Sequence, residues 1–293
     1  KVKKQIVSSI KIENSDVSSV ADIKFDEFFF GSHDFSRRIK GSIESIERIS
    51  RKDLVAYHKN VFTKDNIVIG VAGNISEKEV KQYISMVFGN LPSVGNQRKL
   101  STFNSLKMGE EVFEMDTPQT TVVFGQPGIS RTEKNYFVAR IANYILGGGG
   151  FQSRLYKEIR EKRGLVYSIY SYLDSYKMDG VIVGGFQTRN HSVMDTIEMV
   201  KGEWSKISSS GVTSRELQDA KTYYKGSFSR NLTSSLSIAN LLKIVQYYNL
   251  GNDYFVRRDK IIDDITLEQI NNLISNLIDR DKLFFMIVGK PEL

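Results

Sequence analysis

Apolar residues recur along the chain with two periods, and the alternation between them lays out the elements. Residues 1–14 and 16–30 carry helical spacing, with a break between Asn14 and Asp16. A turn follows at GSHDFSRRIKGS. Ser50 is placed to cap a helix over RKDLVAYHKNVF, which gathers Leu54, Val55, Tyr57, Val61 and Phe62 on one side. NIVIGVAGN, residues 66–74, is a near-continuous apolar run and predicts a short buried strand. Ser76 with Glu79 gives the capping-box pattern for a helix over SEKEVKQYISMVFGNL. PSVGNQRKLSTFNSLK, residues 92–107, has no period and predicts a linker. Strands follow at EEVFEMD and TTVVFGQPG, then a helix from Glu133 to Leu146. The run LGGGGFQSRLYKEIREKRGLVYSIYS, residues 146–171, predicts a glycine turn, a second helix and an alternating tyrosine-rich strand. DSYKMDG joins that strand to DGVIVGGFQTR as a hairpin. Helices at 192–210, 213–231, 233–250 and 266–278 and the strand KLFFMIVGK complete the chain.

Residues 46–74 align without a gap to residues 262–290. Ile46 matches Ile262, Ile49 matches Ile265, Asn60 matches Asn276, Asp65 matches Asp281 and Gly73 matches Gly289. The shared unit reads as a short helix, a capped helix and a buried strand ending in glycine. A repeat at this spacing predicts two domains of one fold rather than a solenoid. Far more chain lies between the linker and the second copy than precedes the first. The expected organisation is therefore the C-terminal half of a first domain at 1–91, a linker at 92–107 and a complete second domain at 108–293.

Composition narrows the function. The chain has 293 residues, 40% hydrophobic and 26% charged, which is ordinary globular usage. No apolar run is long enough for a membrane span, and the N-terminus lacks the apolar stretch of a signal peptide. There is no cysteine, which excludes disulfides, thiolate metal sites and a cysteine nucleophile. The net charge is +7, but Lys and Arg are mixed with Asp and Glu, as in RRDKIIDD, so no nucleic-acid groove is expected.

GGGG before a helix can cradle phosphate through backbone N–H groups. Here the glycines follow a helix rather than a strand, and neither a Walker lysine nor GxGxxG spacing accompanies them. They read instead as a helix end and hinge. Arg160 and Tyr167 flank Gly164, which ends the second helix. A guanidinium there can bind a carbonyl or carboxylate bidentately, and a phenol can donate to a developing oxyanion. The plainer alternative pairs Arg160 with Glu158 or Glu161 and buries Tyr167. His33, His58 and His191 have no metal-ligand spacing, and neither HExxH nor HxxEH occurs.

The segment 146–171 resembles the second-domain motif of the M16 metallopeptidases, the pitrilysin and mitochondrial processing peptidase-like family. FFFGSHDFSRRIKGSIESIERISRKDLVAYHKNVFTKDNIVIGVAGNI resembles the second half of the first M16 domain, and DTPQTTVVFGQPG the start of the second. The resemblance covers essentially the whole chain. It implies an α+β, LuxS/MPP-like metallohydrolase fold: two similar α/β domains with mainly antiparallel sheets and helices on one face, the first domain incomplete here. Family zinc comes from HxxEH and a distal Glu. HxxEH is absent, and the Glu position falls on Ser9, beside Ser8, in QIVSSI, so no cofactor is expected in this chain and zinc is expected in a partner or a missing segment. The resemblance carries catalytic roles to Arg160 and Tyr167, and Gly147, Gly148, Gly149 and Gly150 become candidate substrate-binding positions. It implies a zinc-less subunit, inactive alone, that supports hydrolysis of an extended peptide by a zinc-bearing M16-like partner or a missing N-terminal half. The alternatives are a structural homologue of the respiratory-complex-core type and a C-terminal fragment of a zinc metallopeptidase.

Overall fold

Three segments of the chain are buried at nearly every position, as strands covered on both faces are. They form the centre of a five-stranded sheet. The computed structural model describes residues 1–230 and 232–292. Its elements are α1 (Val2–Ser15), α2 (Val17–Phe30), α3 (Ile43–Arg48), α4 (Arg51–Val61), α5 (Glu77–Phe88), β1 (Gly109–Glu114), β2 (Gln119–Pro127), α6 (Tyr136–Asn143), β3 (Val166–Ser175), β4 (Gly180–Arg189), α7 (Val193–Ser210), α8 (Ser214–Phe228), α9 (Ser235–Tyr247), α10 (Tyr254–Asp263), α11 (Leu267–Leu277) and β5 (Phe284–Gly289). Helix α10 has no counterpart among the elements read from the sequence.

The sheet order is β1-β5-β2-β4-β3. β1 runs parallel to β5, and every other pair is antiparallel. The sheet is mixed, and β3 lies at its edge. Alternation sorts the central residues. Val123, Val181, Val183, Phe284, Met286 and Val288 meet Val20, Ala21, Phe25, Phe29 and Phe30 of α2. On the opposite face the Phe124 ring lies 5.5 Å from the Trp204 ring of α7 and 5.7 Å from the Phe285 ring. Helices therefore cover both faces, which corrects the expectation of helices on one. The reason is the apolar stripe of α2: leaving Phe25, Phe29 and Phe30 in water would cost about 1.5–3 kcal/mol each.

Two compact units emerge. One comprises residues 1–43, 101–222 and 261–293 and holds the sheet; the other comprises 44–100 and 223–260. Among the described residues the second unit contains helices and irregular chain but no strand. One sheet is thus present where the repeat predicted two.

The repeat itself recurs in three dimensions up to its last step. Ser50 and Asp53 form a capping box on α4, as Thr266 and Gln269 do on α11. A 3-10 turn follows each helix, at Lys64–Asn66 and at Arg280–Lys282. Gly73 and Gly289 even share a positive φ, 155° and 152°. Then the copies part. Residues 284–289 form β5 between β1 and β2, whereas NIVIGVAGN forms no strand. A strand exists only where neighbouring chains take its N–H and C=O groups, and this segment has no such neighbours among the described residues. The consequence reaches α4: Leu54 and Phe62 are 58% and 53% exposed, while their repeat counterparts Ile270 and Ile278 are 0% and 1% exposed.

Helix α2 also carries a charge that its packing penalises. Burial, with Asp22 and Asp174 adding repulsion, pushes the Asp26 carboxyl up to about 7. A free aspartate ionises near about 4. The folded state is therefore fully favoured below about pH 4 and loses stability as the pH rises through 7. Asp26→Asn is expected to raise the Tm at pH 8 by about 2–4 °C, from about 1 kcal/mol after allowance for solvent screening. At pH 4 it should leave the Tm unchanged. Thermal unfolding at both pH values tests this.

Candidate functional site

The glycine run is built for close approach. Helix α6 continues beyond Asn143 into a π-turn over Tyr144–Gly148. That turn lies against β3 at Ser171. A Cβ on Gly147 would sit 2.3 Å from Ser171 Oγ and 2.9 Å from Leu155 Cδ1. The approach is locked by two buried hydrogen bonds. Asn143 Nδ2 donates to the Ser171 carbonyl at 3.1 Å, and Ser171 Oγ donates to Asn143 Oδ1 at 2.8 Å. Gly147 is buried, Gly148 and Gly150 are exposed, and Gly149 lies between. Gly150 has φ +56° and turns the chain toward Phe151, which is exposed.

The helix behind the turn is also π-wound over Tyr156–Glu161, a form found mostly as short bulges at functional sites. Arg160 lies on it, half-buried. Its guanidinium donates to the Tyr156 hydroxyl. Its central carbon is 4.6 Å from the Tyr156 ring, 5.6 Å from the Tyr167 ring and 5.9 Å from the Phe151 ring. Neither Glu158 nor Glu161 pairs with it; Glu158 is held by Lys162 at 2.6 Å. Gly164, at φ +63°, ends the helix and starts the return into β3.

Tyr167 falls in an irregularity of β3. Val166 faces Thr188 and Ile169 faces Phe186, so β3 carries one more residue than β4 across this step. A bulge re-aims a side chain, and Tyr167 is 87% exposed. The structure therefore brings Arg160 and Tyr167 together and leaves Tyr167 out of the core.

A sequence profile of the peptidase M16 inactive domain matches residues 48–224. The chain belongs to this M16 family. Among its relatives are an uncharacterized zinc protease, YmxG, of Bacillus subtilis, 26% identical over 98% of this chain and 69% of the relative. The non-peptidase homolog YmxG of Helicobacter pylori is 27% identical over 100% of this chain and 68% of the relative. The chain thus spans about two thirds of the length of these proteins. The crystal structure of a peptidase M16 inactive domain from Pseudomonas fluorescens superposes with a TM-score of 0.93 at 27% identity, covering 100% of this chain and 69% of that one. A chain of complex III2 from Candida albicans, Inz-5 bound, shares the fold with a TM-score of 0.80 at 17% identity, covering 98% of this chain and 70% of that one.

Among the described residues no group of three or more His, Asp or Glu side chains is disposed to hold a metal ion. The surroundings of Ser9, where M16 resemblance puts a zinc-ligand position, do not fit one. Lys40 Nζ donates to Ser9 Oγ at 2.6 Å. The nearby Glu13 carboxylate is engaged by Lys40 and by Arg38, the latter at 2.7 Å. Their hydrogen bonds, Lys40's first, hold Glu13 below the usual carboxylate range. His33 accepts from the Phe35 N–H at 3.2 Å and sits 3.0 Å from the Ser101 carbonyl, and His58 stacks on Phe62. No helix among the described residues is long and apolar enough to cross a membrane.

Beside Tyr167 the M16 sheet and α2 enclose a cavity of about 230 Å³. Asp22, Ser18, Gln187 and Tyr170 are among its polar lining residues. Burial, then repulsion from Asp16, raises the Asp22 carboxyl. Burial, then Asp22, raises the Tyr170 phenol.

Sequence reasoning missed the residues that brace the site. Arg154, in the SRL triplet, holds Glu216 through Nε at 2.7 Å and Nη2 at 2.9 Å, and also donates to the Gly211 carbonyl. Burial opposes the Glu216 charge, but Arg154 and Thr213 outweigh it and hold the carboxyl down to about 2. Asn143, Ser171, Tyr156 and Phe151 were also unread. The i, i+4 spacing of Tyr156 and Arg160 was the one local signal available.

Proposed function

We propose that this chain is the zinc-less, Arg/Tyr-bearing part of a divided M16 peptidase. Residues 1–91 then represent the C-terminal half of a first M16 domain, 92–107 a linker and 108–293 the second domain. The halted repeat supports that division, since a segment with strand sequence has no strand partner. A zinc-bearing M16-like subunit, or an N-terminal half, would supply the metal that activates water and polarises the scissile carbonyl. On this chain, Arg160 orients an extended peptide and Tyr167 donates to the oxyanion of the tetrahedral intermediate. The exposed edge of β3 adds the peptide as a further strand. Gly147 to Gly150 shape the turn that borders it.

The observation that carries this reading is the pairing of an exposed, bulge-borne Tyr167 with an arginine that no acid neutralises. The test is hydrolysis of fluorescein-labelled casein with added zinc, by this chain alone and by its complex with a zinc-bearing M16 subunit. Activity is expected only in the complex, and Arg160→Ala should lower kcat/KM about tenfold or more. An intact complex without activity would favour the second reading, a scaffold. The name of the Helicobacter pylori relative, a non-peptidase homolog, and the fold shared with a complex III2 chain support that alternative.

A further inference from the structure

A half-buried arginine is normally anchored by a carboxylate. Arg160 is anchored by rings. Among the described residues the one hydrogen bond of its guanidinium goes to the Tyr156 hydroxyl, and the Tyr156, Tyr167 and Phe151 rings stand 4.6, 5.6 and 5.9 Å from its central carbon. Phe151 in turn packs edge-on against Tyr156, with ring centroids 4.7 Å apart and planes at 69°. Of the two acids in that helix, Glu158 is taken by Lys162, and neither Glu158 nor Glu161 forms an ion pair with Arg160.

The distinction matters chemically. A carboxylate fixes a guanidinium but occupies its fork of donors and cancels its charge. An aromatic face attracts the cation through the ring quadrupole and leaves the in-plane N–H groups free. Arginine pays a large rotamer entropy to be held still, so something must hold it. We propose that Tyr156 and Phe151 are positioning residues for Arg160. They hold its guanidinium from one side, Tyr156 at 4.6 Å and Phe151, packed on Tyr156, at 5.9 Å, while keeping its donors and charge available to a peptide carbonyl. The proposal rests on the reading of Arg160 as the peptide-orienting group.

The local chain explains how the pair is delivered. Tyr156 and Arg160 are one turn apart on one helical face. Phe151 stands at the tip of the glycine turn, aimed by the positive φ of Gly150. The glycine turn, which binds no phosphate in this reading, thus carries a ring to the arginine. Phe151 is 67% exposed, so its removal leaves the core intact.

Two measurements on the full chain test this, and they separate the proposal from the reading beneath it. The first is the Arg160 Nε–H resonance in a nitrogen–proton correlation spectrum, assigned by its loss in Arg160→Lys. In the parent chain it should lie ring-current shifted from the free-arginine position. Phe151→Ala and Tyr156→Phe should each move it toward that position, and Phe151→Trp should restore the shift. A resonance unmoved in both variants would overturn the proposal. The second is binding of fluorescein-labelled casein by anisotropy. Phe151→Ala is expected to weaken it by about threefold to tenfold, with no further loss when added to Arg160→Ala. Additive losses would also overturn the proposal. If Arg160→Ala leaves casein binding unchanged, the peptide-orienting reading fails, and the resonance still decides whether the rings position the arginine.

Discussion

Tyr167→Phe is expected to lower the turnover of a complex containing this chain about a hundredfold while leaving its fold unchanged. The substitution removes one hydroxyl and nothing else. If that hydroxyl donates to the tetrahedral oxyanion, its loss falls in the class of deleted oxyanion donors, which cost about 10²–10³ in kcat. The loss should appear in kcat rather than KM, because the charge it stabilises is absent from the bound substrate. No compensating fold effect is expected, since the side chain is 87% exposed and stands on a bulge outside the regular ladder. Turnover of fluorescein-labelled casein, at matched assembly and matched Tm, measures the effect. Equal turnover in the two proteins would remove Tyr167 from the chemistry.

A large loss of stability is expected on substituting Gly147. Its replacement by alanine places a methyl 2.3 Å from Ser171 Oγ and 2.9 Å from both Leu155 Cδ1 and the Ser171 backbone nitrogen. None of these can yield freely. Leu155 is fully buried, and Ser171 is fixed in β3 and bonded to Asn143. Overpacking costs about 1–3 kcal/mol, and each displaced Asn143–Ser171 hydrogen bond adds about 1 kcal/mol. A total near 3 kcal/mol lowers the Tm by about 6–12 °C. Gly150→Ala provides the contrast. No atom lies within 4 Å of its added Cβ, so only the strain of φ +56° remains, about 1–2 kcal/mol. A smaller shift at Gly147 than at Gly150 in thermal unfolding would contradict the close approach inferred for the turn.

Both effects arise from a segment whose glycines, helix, terminating Gly164 and tyrosine strand were legible in the sequence. What was not legible was the company each residue keeps. Arg160 had two acids within one turn, and sequence logic pairs such residues across a helix surface. The π-winding of Tyr156–Glu161 and the glycine turn set it among three rings instead. Tyr167 had the position of an alternating strand residue, but an extra residue in β3 lifts it out of the ladder.

The sequence by itself determined the capped helices, the hairpin and the repeat. These depend on side chains reaching their own backbone within about one turn, or on an apolar period that any core will bury. Ser50 and Thr266 cap their helices identically because each finds its partner at N3. Tertiary structure alone decided whether NIVIGVAGN and FFMIVG became strands, and which faces of the sheet were covered. The two segments have similar local propensity. Only the second has β1 and β2 beside it to accept its backbone hydrogen bonds. A strand is a property of its neighbours, and neighbours distant in sequence leave no trace within the segment itself.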